Sequence, residues 1–342
     1  MKETEFRLFL AGIPKAEIHI HIEAVMSISS VRKLYKKHYG KEMSSRDEAE
    51  LFLYDDLDGF IKAFLSVQNL FESVSDFTCV FDDLAEYLVK NGVVYCEAFF
   101  APTAFLRKGF DYGEIMSLFS EKIAEIKKKY NCIVKLILDV SRTFGYENAL
   151  KNYELLRRYP CSDIIGIGLG GSEQKGPARE FEPVFAQAHR DGFHAVAHAG
   201  EDTGPESIWD SINFLHAERI GHGVSCVQDP ELVKYLARTK LPLEVCITSN
   251  VFTKKYVQKT EEHPVREMFD SGVLVTINTD DPVFFRTTLL EEYWKCYSRL
   301  NFSMDEIKQL VCNSFSATFM SEEEKLTRIA QVNDAWEISA LF

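Results

Sequence analysis

No two cysteines in this chain stand three apart. The eight that occur, at 79, 96, 132, 161, 226, 246, 296 and 312, are spread through apolar runs, as reduced core thiols are. Without C-x-x-C there is no zinc-ribbon or dithiol redox motif, and no His/Cys/Cys zinc site of the kind that cysteine-ligated deaminases use. Positive charge is scarce: 39 Lys+Arg face 52 Asp+Glu, for a net charge of −13. That balance excludes nucleic acid and anionic membrane surfaces as partners. It also disfavours a heavily phosphorylated substrate, which would require clustered Arg and Lys. No apolar run approaches the roughly 18 residues that a bilayer span needs. The opening MKETEFRLFLAGIPK mixes both charges and has too short an apolar stretch for a secretory signal, so a cytoplasmic protein is expected. There is no repeat, low-complexity tract or Pro/Gly/Ser linker, and no G-x-G-x-x-G follows the first apolar run, which removes support for a doubly wound dinucleotide fold.

What is present is a series of short, nearly continuous apolar runs at 16–23, 93–101, 133–141, 164–172, 193–201, 218–225, 242–250 and 273–282. Such runs suit parallel strands covered on both faces. Amphipathic stretches lie between them at 75–90, 112–130, 147–159, 177–191, 205–216, 230–239 and 263–271, with Pro177, Pro205 and Pro230 at first-turn positions, where a missing N–H costs little. Eight strands alternating with helices predict an α/β fold, a (β/α)8 TIM barrel, as a single domain over residues 1–342. Two segments fall outside the alternation. Residues 25–75 form an oversized helical first connection placed to act as a lid, and 285–342 form C-terminal helices, including 304–319 and 321–338.

Ionisable residues gather where these strands end, which is where barrel active sites lie. The first run reads A-E-I-H-I-H-I-E-A, and its period of two puts His19, His21 and Glu23 on one face and Ile18, Ile20 and Ile22 on the other. Taken alone, the two histidines could equally be satisfied core residues. The context argues for a site: H-A-G-E supplies His198 and Glu201, G-H-G supplies His222, and N-T-D-D-P supplies Asp280 and Asp281. Three neutral imidazoles and a carboxylate from this set suit one zinc ion with an open position for water, whose pKa zinc lowers to about 7. The fourth run, I-G-I-G-L-G-G-S-E, has no lysine to bridge a second metal. Glu201 can reach the site from the turn after its strand as a proton donor, or it is a helix N-terminal glutamate. Asp281 can contact substrate while Asp280 holds metal, or it is a turn residue before Pro282. Gly168, Gly170 and Gly171 allow backbone to approach a ligand, or simply make a tight turn. The remaining five histidines, His38, His189, His194, His216 and His263, are expected at the surface or in packing.

HIH, GVVYCEAFFAP, GLGGSE, HAGE, ERIGHGV, EVCITSN and NTDDP occur in that order along nearly the whole chain. In this combination the sequence resembles the adenosine deaminase family of the metal-dependent amidohydrolases. The resemblance implies a zinc (β/α)8 barrel that hydrolyses the 6-amino group of a purine, with one zinc per chain on His19, His21, His198 and Asp280. It implies that Glu201 protonates purine N1, that His222 orients or deprotonates the attacking water, and that Asp281 meets N7. Facing the substrate with Asp281 would be His21, the Gly171 N–H at N3, and Glu23 on the ribose side. DDLDGFIKAF resembles the apolar gate over the pocket, with Leu57, Phe60, Ile61 and Phe64 as lid residues, although a helix-core stripe would look the same. Several positions depart from the adenosine enzymes. Glu23 stands for their aspartate and is more typical of adenine and aminodeoxyfutalosine deaminases; Ala24 stands for a glycine and Ile247 for a proline, while Gly221 and Thr279 match the adenosine branch. The expected activity is conversion of adenosine and 2′-deoxyadenosine to the 6-oxopurine, inosine in the first case, and ammonia. The alternatives are an adenine or aminodeoxyfutalosine-type deaminase and, more remotely, an inactive purine-binding barrel. The expected partner is a small purine nucleoside or base, and oligomeric state stays open.

Overall fold

Strands β1 (Lys15–His21), β2 (Val93–Phe100), β3 (Ile133–Asp139), β4 (Ile164–Leu169), β5 (His194–Ala199), β6 (Arg219–His222), β7 (Leu243–Val245) and β8 (Val275–Ile277) pair in parallel, each with the next in sequence. This is a computed structural model; it describes residues 1–54 and 57–339, and for residues 57 and 58 the backbone alone, so the expected lid role of the Leu57 side chain lies outside the described part. The ring is completed between its first and last strands. Ile20 bridges Asp280, the His21 N–H donates to the Asp280 carbonyl at 2.9 Å, and the Asp280 N–H donates to the His19 carbonyl at 3.0 Å. The seam of the (β/α)8 barrel is therefore built from residues read as metal ligands.

The core divides into two. Most buried apolar side chains, Ile18, Ile20 and Ile22 among them, belong to one large cluster formed with the surrounding helices. A separate small cluster of Phe99, Ile137 and Val196 is contributed by β2, β3 and β5. Above it the imidazoles of His19 and His21 rest against the Phe99 ring at centroid distances of 4.8 and 5.2 Å. The two histidines thus stand on an apolar floor.

Helices fill the connections much as their periodicity predicts, including Tyr112–Tyr130 and Pro230–Thr239. The long first connection folds as three helices, Ile28–Tyr39, Ser45–Phe52 and Leu57–Gln68. Past β8 come Leu289–Arg299, Met304–Ser316 and Glu322–Ser339. Among the described residues no helix is long and apolar enough to cross a membrane.

Three expectations need correction. The run 242–250 is not one strand: β7 stops at Val245 and Ile247–Thr253 is helical. The turn-forming Thr248 ends the extended run, its N–H and hydroxyl both held by the buried Glu292 carboxylate. Pro177 does not start an α-helix; it precedes a short 3-10 turn, Ala178–Phe181, and Pro183 occupies the first turn of Glu182–Arg190 instead. Glu23 leaves the alternation of β1, because that strand ends at His21 and Ile22–Ala24 is a 3-10 turn. Ahead of β1 the chain forms a helix, Glu3–Ala11, whose buried Phe6 packs against Trp294 and Tyr297 at 5.3 and 5.2 Å.

Candidate active site

The histidines turn ring nitrogens toward one point. His19 uses Nδ1 on the Glu244 carboxylate at 2.7 Å, so its Nε2 faces inward, 3.4 Å from Asp280 Oδ1 and without a hydrogen bond. His21 Nε2 stands 3.2 Å from both Asp280 Oδ1 and His198 Nε2. The other Asp280 oxygen accepts a hydrogen bond from the Ser249 hydroxyl at 2.7 Å, which aims the first at the imidazoles. Ligand atoms of His19, His198, His222 and Asp280 lie within 4.8 Å of one another, and His21, Asp280 and Asp281 form a second such group.

These residues fit a divalent cation. Buried nitrogens with no proton partner are costly unless something fills the gap between them. Burial and the neighbouring imidazoles push His198 well below its usual pKa, so it offers a neutral lone pair. Burial would do the same to His21, but Asp281 and Asp280 outweigh it and hold His21 up to about 10. The pocket therefore stabilises an added positive charge, and its nitrogen and oxygen donors suit a transition metal.

Glu201 belongs to neither a strand nor a helix cap. It sits on the turn between β5 and the helix Pro205–Phe214, and the Glu173 carboxylate clamps that turn. Glu173 accepts the N–H groups of Gly200, Glu201 and Asp202 at 2.8, 2.8 and 2.9 Å, and the hydroxyls of Thr203 and Ser207. The Glu201 carboxyl is left facing His222 Nε2 at 3.4 Å. Burial, then the charges of Asp280 and Glu173, raise its pKa well above the usual range, so it is an acid that still holds its proton.

The strand ends carry backbone strain where the chemistry lies. His222 and Asp280 have φ of 63° and 65°, in the left-handed region that side chains rarely occupy. Gly221 must lack a side chain, since a Cβ there would stand 2.7 Å from the His19 ring. Gly171, at φ 95°, would place a Cβ 2.2 Å from the Thr143 hydroxyl, so close approach as well as the turn requires it.

A cavity of about 1000 Å³, counted with its open mouth, reaches down to this cluster. Of the expected site residues, His21, His198, Glu201, His222, Asp280, Asp281 and Gly171 line it, and so do Phe60, Ile61 and Phe64 of the helix Leu57–Gln68. Phe60 and Phe64 line the cavity while packing on Phe284 at 5.7 and 5.5 Å, so the stripe faces the pocket and the helical insertion at once. Glu23 is not among the lining residues. One of its carboxylate oxygens accepts the Ala101 N–H at 2.9 Å. Asp139, at the end of β3, does line the cavity, and the sequence reading missed it. A lone acid closing the apolar run I-V-K-L-I-L-D was the available signal. Glu173, Glu244 and Asn250 were missed because each acts through another residue. His263 is not a surface histidine: it is buried and hydrogen-bonds Asn250 Oδ1 at 3.2 Å. His38, His189, His194 and His216 lie apart from the cluster, as expected.

The sequence profile described as adenosine deaminase matches residues 14–335. The chain belongs to the adenosine deaminase family. It is accordingly a deaminase, a hydrolase of C–N bonds. Among curated relatives of the family, the chain is 35% identical over 329 residues to an aminodeoxyfutalosine deaminase of Streptomyces avermitilis, covering 95% of this chain and 92% of that one. It is 33% identical over 321 residues to an adenine deaminase of Crocosphaera subtropica, covering 93% and 98%. A solved adenine deaminase from Arthrobacter aurescens superposes with a TM-score of 0.89 at 28% identity, covering 94% of this chain and 98% of that one.

Proposed function

We propose that this deaminase acts on C6 of a 6-aminopurine carrying an N9 substituent, an adenosine-type nucleoside. The observation that carries the reaction is the buried Glu201 carboxyl, held 3.4 Å from His222 on the rim of the cation-ligand cluster and pushed by burial toward its protonated form. C6 of an aromatic purine is a poor electrophile until N1 gains a proton, and Glu201 supplies it. N7 is an acceptor, so its partner must donate. Burial and the adjacent Asp280 hold Asp281 well above the usual carboxylate pKa, leaving it the proton to do so. The Gly171 N–H is assigned to N3, and His21 flanks the base. We infer a single zinc on His19, His21, His198 and Asp280. When bound, it lowers the pKa of water to about 7. His222 aligns that water from the Glu201 side.

The apolar lining of the cavity supports a substituted purine over a bare base. Phe60, Phe64, Phe144 and Phe285 line it beyond the ionisable cluster, an apolar wall for a substituent that extends past the ring. Adenine is the second reading, favoured by Glu23: its carboxylate is engaged by the Ala101 N–H and does not line the cavity where a ribose would lie.

Ammonia release and ultraviolet absorbance, followed with adenosine, 2′-deoxyadenosine, aminodeoxyfutalosine and adenine side by side, test both readings. A kcat/KM about 10-fold or more above that for adenine with any of the nucleosides is expected. Adenine ahead of all three establishes the second reading, and no ammonia from any of them overturns both. In the same assay Glu201→Gln is expected to lose about 10²–10⁴-fold in turnover while keeping its metal. Retained turnover would mean that another group delivers the proton.

A further inference from the structure

Behind His222, on the side away from the cavity, a line of hydrogen bonds runs through buried residues. His222, Asn250 and His263 are 0, 2 and 3% exposed. The direction of the line is set at its far end. The Val265 backbone N–H can only donate, and it meets His263 Nδ1 at 3.1 Å. Nδ1 is therefore the acceptor, and burial, with His222 nearby, lowers the His263 pKa to about 3, keeping the ring neutral with its proton on Nε2. Nε2 faces Asn250 Oδ1 at 3.2 Å, which fixes which end of that amide is carbonyl. The opposite end, Nδ2, donates to His222 Nδ1 at 3.1 Å. With Nδ1 engaged as an acceptor, neutral His222 must carry its hydrogen on Nε2, the nitrogen that faces Glu201 and makes no hydrogen bond within the protein.

His19 is wired the other way. Its Nδ1–H donates to a carboxylate, which leaves Nε2 with a free lone pair. The two imidazoles stand side by side, with ring centroids 4.9 Å apart, yet one is prepared to bind a cation and the other to donate.

We propose that His263 and Asn250 are positioning residues that lock His222 as its Nε2–H tautomer, so that it donates a hydrogen bond to the reacting oxygen and stays out of the cation's ligand set. This deepens the deamination reading and rests on it for the reacting oxygen. It also chooses between two roles for His222. A nitrogen already carrying a proton orients water and stabilises the oxygen that adds to C6; it does not take a proton from it.

The test is nitrogen-15 NMR of the histidine rings in the zinc-loaded enzyme, combined with steady-state kinetics. Wild type is expected to show the Nε2–H pattern for both His222 and His263. His263→Leu removes the donor to Asn250. Averaged His222 tautomers, unchanged zinc content and a kcat about 10–100-fold lower at nearly constant KM are expected. His263→Gln, whose amide can donate to Asn250 Oδ1, is expected to restore both the ring pattern and most of kcat. Asn250→Asp presents acceptors in both directions and is expected to switch His222 to Nδ1–H, which gives a readout even if His263→Leu folds poorly. An Nδ1–H or metal-bound Nε2 pattern for His222 in wild type overturns the proposal. So does a His263→Leu enzyme that keeps both the tautomer and kcat. Because the rings are read without substrate, a failure to deaminate any purine would sink the reaction assignment and leave this measurement standing.

Discussion

The interior of this barrel holds two charged layers, one closed on itself by ion pairs and the other opening onto the cavity. In the lower layer Arg219 pairs with Glu97 and, at 2.6 Å, with Glu244, and donates to the Ala317 carbonyl at 3.0 Å. Its guanidinium also lies 3.9 Å over the Phe319 ring. Glu97 in turn accepts the Tyr95 hydroxyl and the Phe319 N–H at 2.9 and 2.8 Å. In the upper layer His19 Nε2, His198 Nδ1 and His222 Nε2 make no hydrogen bond in the protein, and His198 and His222 line the cavity. Burial is alike in both layers, so burial alone does not mark a functional site. Unanswered polar atoms beside an opening do. Glu244 joins the layers, one oxygen on Arg219 and the other on His19.

The contrast can be broken from below. Arg219→Met leaves Glu97 and Glu244 without their counter-ion, and a loss of about 3–5 kcal/mol is expected in denaturant unfolding of the zinc-loaded protein. Activity per folded molecule is expected to change far less than stability; a variant as stable as wild type would show that the lower layer is not a structural ion cluster. The joint comes next. Glu244→Gln is expected to weaken metal affinity about 10–100-fold by loosening the orientation of His19, as measured by competition with a chelator. An unchanged affinity would make the two layers independent.

The smallest effect is expected outside the barrel wall, at the foot of the helical insertion. There Asp76 accepts from Lys37 Nζ at 2.6 and 2.8 Å and from the Glu72 and Ser73 N–H groups. Burial acts to raise its pKa, but these hydrogen bonds outweigh it and hold the folded value below the usual 3.8. A carboxylate with a depressed folded pKa adds stability above its unfolded pKa and loses it as pH falls through the folded value. Asp76→Asn is expected to cost about 1 kcal/mol at neutral pH, the partner lysine being half exposed, with the difference closing below about pH 4. A gap that persists in acid would assign the effect to packing rather than charge.

The parts of the site legible in the sequence are those that act directly. His19 and His21 sit one residue apart on a strand, and Asp280 and Asp281 close an apolar run, so residue type and period expose them. Glu173 and His263 were hidden because their work is done on distant chain: one clamps the Glu201 turn, 28 residues on, and the other sets the amide of Asn250. Glu23 misled for the opposite reason, since the alternation that placed it on the histidine face stops at His21.

Taken by itself, the order of apolar runs and helices determined the barrel, because parallel strands separated by amphipathic helices bury both faces of a sheet only in a few ways. It also determined the chemistry, because few residue types ligate a cation or carry a proton at neutral pH. Tertiary structure alone decided which nitrogen of each histidine is free. That depends on what stands behind the ring, a carboxylate for His19 and an amide for His222. These partners come from separate strands and helices, and no local pattern records their meeting.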